Sequence, residues 1–153
     1  MKVYYLLVLA MIIGLSACDK AVSPEEQLAT DIKIIKEYIS DKGLDATETQ
    51  TGLHYVIHNE GTGNYPNAQS NVTVRYKGYF LDGNVFDQSD VEGVTFNLQS
   101  VIKGWTEGIP KFREGGKGIL LIPSALAYGP NGSGSIKPNT VLAFDVELLT
   151  IVD

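Results

Sequence analysis

From Thr51 onward, apolar side chains return at every second position: Leu53, Tyr55 and Ile57; Val72, Val74 and Tyr76; Val94, Phe96 and Leu98; Leu142, Phe144, Val146 and Leu148. A period of two sends alternate side chains to opposite faces of an extended backbone, so each run predicts a half-buried strand. Asp82-Gly83, between "RYKGYFL" and "NVFD", is a hairpin turn signal, and "GILLIP" at 118 to 123 predicts one further short strand. Only one stretch among these runs reads as helix, at about 102 to 112, bounded by Gly115-Gly116. A parallel sheet needs a crossover between successive strands, and no such rhythm is present. The pattern therefore predicts an α+β fold: an antiparallel twisted β-sheet wrapped across one short α-helix. A chain of 153 residues with 44% hydrophobic content suffices for one core.

Upstream the pattern changes twice. Ser23 is suited to cap a helix with Pro24 at its first position and Glu26 completing a capping box, while Lys42 and Gly43 supply the stop. Leu28, Ile32, Ile35 and Ile39 recur at helical spacing, which predicts a separate N-terminal amphipathic helix at about 24 to 42. Its apolar stripe either packs on the following domain or makes a homodimer or stalk; the sequence does not separate these. "LDATETQT" at 44 to 51 reads as a polar linker. Before the helix, Lys2 precedes an apolar run from Val3 to Leu15, shorter than the roughly 20 residues a spanning helix needs. The run ends in Leu15-Ser16-Ala17-Cys18, which resembles a bacterial lipobox and holds the only cysteine of the chain. The expected segments are thus a lipoprotein signal peptide at 1–17, a tether and helix at 18–51, and the folded domain at 52–153. The expected lipidation site is Cys18, and the expected location is the bacterial cell envelope, lipid-anchored on a periplasmic or outer surface.

Several chemistries lack their parts. Net charge is -6 with no Lys/Arg cluster, so nucleic acid is not an expected partner. His54 and His58 would lie about 13 Å apart along a strand at 3.3 Å per residue, too far to share one ion. There is no other histidine, no Gly-x-Ser-x-Gly elbow and no glycine loop opening a helix for phosphate. No metal and no cofactor is expected.

What the sequence does offer is aromatic: Tyr76, Tyr79, Phe80, Phe86, Phe96, Trp105, Phe112, Tyr128 and Phe144, Trp105 being the only tryptophan. Tyr79, Phe80 and Phe112 read as core. The order "VTVRYKGYFLDGNVFDQS", "FNLQSVIKGWTEGI" and "EGGKGILLIPSALAYGPNGSGSIKPNTVLAFDVELL" resembles the FKBP-type peptidyl-prolyl cis-trans isomerases over about residues 52 to 151. The resemblance implies that Trp105 is the floor of a proline-binding cleft. It implies that Tyr76, Phe86, Val101, Ile102, Ile136 and Phe144 are walls, that Phe96 adds to the substrate-binding surface, and that Asp87 and Tyr128 form a polar rim. Tyr76, Phe86, Asp87, Trp105, Tyr128 and Phe144 would be the catalytic set, with Asp87 meeting the Tyr76 hydroxyl. It further implies proline-containing unfolded or exported polypeptides as substrates and admits macrolide ligands. A peptide-binding chaperone module on the same fold is the alternative. "FNLQS", "IKPN", Phe112, the short loop from Gln88 to Gly93 and Val94 depart from the usual family pattern, so the resemblance does not extend to substrate preference or macrolide affinity, while the Trp105 floor is untouched.

Overall fold

The computed structural model describes residues 22–152; the expected signal peptide and the expected lipidation site Cys18 lie outside the described residues. Chain order is α1 (Pro24–Lys42), β1 (Thr47–Glu48), β2 (His54–Asn59), β3 (Asn71–Tyr79), β4 (Val85–Gln88), β5 (Val94–Asn97), α2 (Lys103–Gly108), β6 (Lys117–Ile122) and β7 (Leu142–Ile151). The seven strands form one sheet in the order β1-β2-β6-β7-β3-β4, with β5 pairing the first half of β3. Every pairing is antiparallel, as the alternation predicted.

The strand period explains how the sheet is clothed. On one face Leu120 and Ile122 of β6 join Leu142, Phe144, Val146 and Leu148 of β7 in a core with Trp105 and Ile109. Here α2, continued by a 3-10 turn at Ile109–Lys111, lies across the sheet. On the other face Ile119 and Leu121 meet Val56, Ala143 and Ile35 of α1. Both faces of β6 are covered, which is why "GILLI" reads as an uninterrupted apolar run instead of an alternating one. Gly104 lets α2 approach: a Cβ there would stand 2.4 Å from Cγ2 of Ile122.

The N-terminal helix forms as its caps predicted. Ser23 Oγ accepts from the Glu26 N–H at 3.2 Å, Glu26 Oε2 accepts from the Ser23 N–H at 3.0 Å, and Gly43 closes the helix with φ of 61°. Of the two readings of its stripe, packing on the domain is the one seen, because Ile35 is fully buried in the second core. The expected linker at 44 to 51 differs from a simple tether. It contributes β1, whose Thr47 and Glu48 pair with Tyr55 and His54. The turn is closed by the Thr49 N–H donating to Leu53 O at 2.8 Å. Two residues are too few to show any periodicity, so the edge strand left no mark in the sequence pattern.

Candidate functional site

β3 and β7 are the longest strands, and between them they set two of the cleft's aromatic side chains. The neighbours of Tyr76 and Phe144 are fixed by register: Tyr76 pairs with Val146, and Gly78 pairs with Phe144. Gly78 is needed here, since a Cβ would stand 2.7 Å from Cζ of Phe86 and 2.8 Å from Cε1 of Phe144. The β3–β4 pairing has a bulge between Gly78 and Tyr79, and just past β4 the chain is pinned at Ser89, whose N–H donates to Tyr76 O and whose Oγ accepts from the Tyr76 N–H, each at 3.0 Å. That anchor sets Asp87 beside the Tyr76 ring, and the Tyr76 hydroxyl donates to Asp87 Oδ2 at 2.8 Å. Trp105 sits in the first turn of α2, with its N–H donating to Ile102 O at 2.9 Å.

The result is a cleft of about 420 Å³ lined by Tyr76, Asp87, Phe96, Ser100, Val101, Ile102, Trp105, Tyr128 and Phe144. Its floor is Trp105, 4% exposed. Tyr76, Phe96 and Phe144 surround the indole edge-on at centroid separations of 5.1, 5.4 and 5.5 Å. Such T-shaped contacts are the favoured aromatic geometry and hold the rings in place. The indole N–H has no hydrogen-bond acceptor among the described residues. Partial burial, with the hydrogen bond and charge of Asp87, pushes the Tyr76 phenol up to about 12, so it stays a donor at any physiological pH.

Of the expected site residues, Tyr76, Asp87, Phe96, Val101, Ile102, Trp105, Tyr128 and Phe144 come together around this cavity. Two do not line it. Phe86 meets Phe144 edge-on at 5.5 Å and Phe80 at 5.1 Å, so it supports the Phe144 wall without lining the cleft. Ile136 is 8% exposed and belongs to the main core, held in a turn where the Ser133 and Ile136 backbones pair. Ser100 lines the cleft without having been expected, for a lone serine in a loop before a helix has no distinguishing pattern. Phe112 is buried in the main core, as expected, whereas Phe80 and Tyr79 are only partly buried, each packed against the edge of a core.

A second groove of about 400 Å³ is lined by Arg75 and Lys77 of β3 and by Asp145 and Glu147 of β7, with His58, Lys117 and the segment after β4 at its edges. Those charges satisfy one another: Arg75 pairs with Glu147 and Lys77 with Asp145, both at 2.9 Å. Arg75 also donates to Val91 O through Nε at 2.8 Å. The aromatic cleft, not this groove, is walled by the rings of Tyr76, Phe96, Trp105, Tyr128 and Phe144, as a ligand site for an apolar ring would be.

An antiparallel sheet packed over a short helix, with an aromatic cleft floored by that helix's indole, defines an α+β domain of the aromatic-cleft kind. Residues 63–149 match the sequence profile of the FKBP-type peptidyl-prolyl cis-trans isomerases. The chain belongs to that family. It is 45% identical over 120 residues to the probable FKBP-type peptidyl-prolyl cis-trans isomerase FkpA of Neisseria meningitidis serogroup B, covering 76% of this chain and 43% of the relative. It is 42% identical over 118 residues to FkpA of Escherichia coli K12, again with 76% and 43% covered. The crystal structure of a peptidyl-prolyl cis-trans isomerase from Pseudomonas syringae pv. tomato superposes with a TM-score of 0.74 at 35% identity, covering 88% of this chain and 99% of that one. E. coli FkpA superposes at 0.72 and 40% identity, covering 83% and 62%. The chain thus spans less than half the length of these two sequence relatives.

Proposed function

We propose that the chain catalyses cis–trans rotation about X–Pro peptide bonds, with the proline ring seated on Trp105. The observation that carries this reading is the indole floor ringed edge-on by Tyr76, Phe96 and Phe144. An X–Pro amide is tertiary, so both isomers are populated, yet resonance keeps a rotation barrier of about 18 to 20 kcal/mol. Twisting the bond removes that resonance and reduces the charge separation of the amide. An apolar, water-poor cleft therefore favours the twisted form over the planar ground state. Asp87 is engaged by the Tyr76 hydroxyl. Tyr128, 38% exposed at the rim, can offer its hydroxyl to a flanking carbonyl. No proton transfer is required of any lining residue.

The test is a proline-limited refolding assay together with isomerisation of a short X–Pro peptide. Catalysis by the chain and its loss in Trp105→Ala are expected; no acceleration by the intact chain would remove the reading. A peptide with a bulky apolar residue before proline is the expected better substrate, because that side chain would meet the wall near Tyr128.

For location, the reading is a lipid anchor at Cys18 in a bacterial envelope, with exported polypeptides as clients. It is supported by Leu15-Ser16-Ala17-Cys18 following an apolar run. One acyl chain binds a membrane weakly and several bind it stably, so Cys18→Ala should move the protein from the membrane to the soluble fraction. Acyl label retained on that variant would contradict the anchor.

A further inference from the structure

The amphipathic pattern of α1 leaves one residue without a reason. Asp31 is in register with the apolar stripe, three residues after Leu28 and four before Ile35, and it is 0% exposed. A carboxylate buried there is costly unless its oxygens are hydrogen-bonded. Both are. Oδ1 accepts from Gln27 Nε2 at 2.7 Å, and Oδ2 accepts from the Ser124 N–H at 2.8 Å and the Ser124 hydroxyl at 2.6 Å. Ser124 opens a 3-10 turn, Ser124–Leu126, whose preceding residue Pro123 makes no side-chain cap. A helix residue 93 positions away supplies that cap instead.

The turn leads directly to the cleft. Leu126 and Ala127 donate back to Pro123 and Ser124, and Tyr128 follows on the rim. Residues 123–131 belong to no strand. Among the described residues, their hydrogen bonds to the rest of the domain are at two points: Asp31 to Ser124, and the Asn139 N–H to Gly129 O at 2.8 Å. Tyr128 lies between these two anchors. We propose that Asp31 is a positioning residue for the isomerase cleft: by clamping Ser124 to α1, it holds the segment that sets Tyr128 against the aromatic wall. The N-terminal helix is then part of the site's construction and not only a spacer. This inference rests on the isomerase reading for its kinetic consequence, while its geometric consequence is independent of it.

The experiment compares Asp31→Ala, Asp31→Asn and Ser124→Ala in the purified chain by NMR and by X–Pro peptide isomerisation. Asp31→Ala should shift and broaden the Tyr128 ring resonances and lower kcat/KM about tenfold, the scale of a small misplacement of a substrate-contacting group. Asp31→Asn keeps one carbonyl oxygen for Ser124 and should restore most of both. In a Tyr128→Ala background the Asp31→Ala change should cost no more than about twofold, since residues acting through one another are not additive. Should Asp31→Ala fail to fold, Ser124→Ala, which keeps the N–H bond, decides the matter with a smaller effect of the same sign. Unmoved Tyr128 resonances, or a full tenfold loss in both backgrounds, would overturn the proposal. A wild-type chain without isomerase activity would sink the functional reading instead, leaving the Tyr128 resonances to judge the clamp.

Discussion

Trp105 must be both core and surface, and its 4% exposure decides how the two can be told apart. Truncating an indole so enclosed should cost about 3 to 5 kcal/mol in stability, as for a fully buried aromatic, in addition to abolishing the floor. Denaturant unfolding of Trp105→Ala checks the first effect; a loss under 1 kcal/mol would mean that the ring is far more open than its neighbours suggest. Gly78 is the complementary case, a side chain that must be absent. Adding a methyl beside the Phe86 and Phe144 rings overpacks the wall, and Gly78→Ala should lose about 1 to 3 kcal/mol and most isomerase activity. Undiminished kcat/KM in that variant would show that the wall can shift freely. These two residues differ in how plainly the sequence announces them. A unique tryptophan inside "VIKGWTEG" draws notice, whereas nothing in "RYKGYF" tells that its glycine lies against the rings of both Phe86 and Phe144.

At the scale of elements, the strands were readable because each has one face buried, and burial on one face is what a period of two records. α2 was readable from its position between strands and its flanking glycines. β1 was not, being two residues long. Asp31 could have been found: a lone carboxylate at a stripe position of an amphipathic helix is either a fault in the stripe or a buried, paired group. The charge patterning on the rest of α1 hid it among ordinary surface acids. The partner Ser124 is beyond sequence reasoning, because the contact joins elements 93 residues apart. The helix–sheet contact also carries a prediction. Ile35→Ala should lower stability by about 2 to 5 kcal/mol if α1 is integral to the domain; a neutral outcome would return α1 to the role of a detached tether.

The molecule as a whole should respond to alkali more than to mild acid. Tyr76 is raised to about 12 by burial and its Asp87 partner, and Tyr79 is raised by burial and Asp145. A phenol with a folded value above its unfolded value of about 10 contributes stability that is complete below pH 10 and is lost as pH climbs through the folded value. Stability should therefore hold between pH 7 and 10 and fall steeply above it. Isomerisation should stay flat from pH 6 to 9, with no histidine in the cleft lining to impose a bell shape. A sigmoidal loss of activity near pH 6.5 would point to a titrating imidazole that this account does not contain.

The place of β7 in the sheet has a further consequence for how such a molecule comes into being. It follows every other strand in the chain, yet it lies between β6 and β3 and joins the two halves of the sheet. Before Leu142 is synthesised, β1, β2 and β6 on one side and β3, β4 and β5 on the other have no shared neighbour. Non-local pairing of this kind is slow and waits for its last participant. A nascent chain stalled short of β7 should be digested readily by protease throughout residues 54–122, and release of the strand should bring protection all at once. Until then the polypeptide has two part-sheets and no continuous one, so the last strand made is the one that closes the fold.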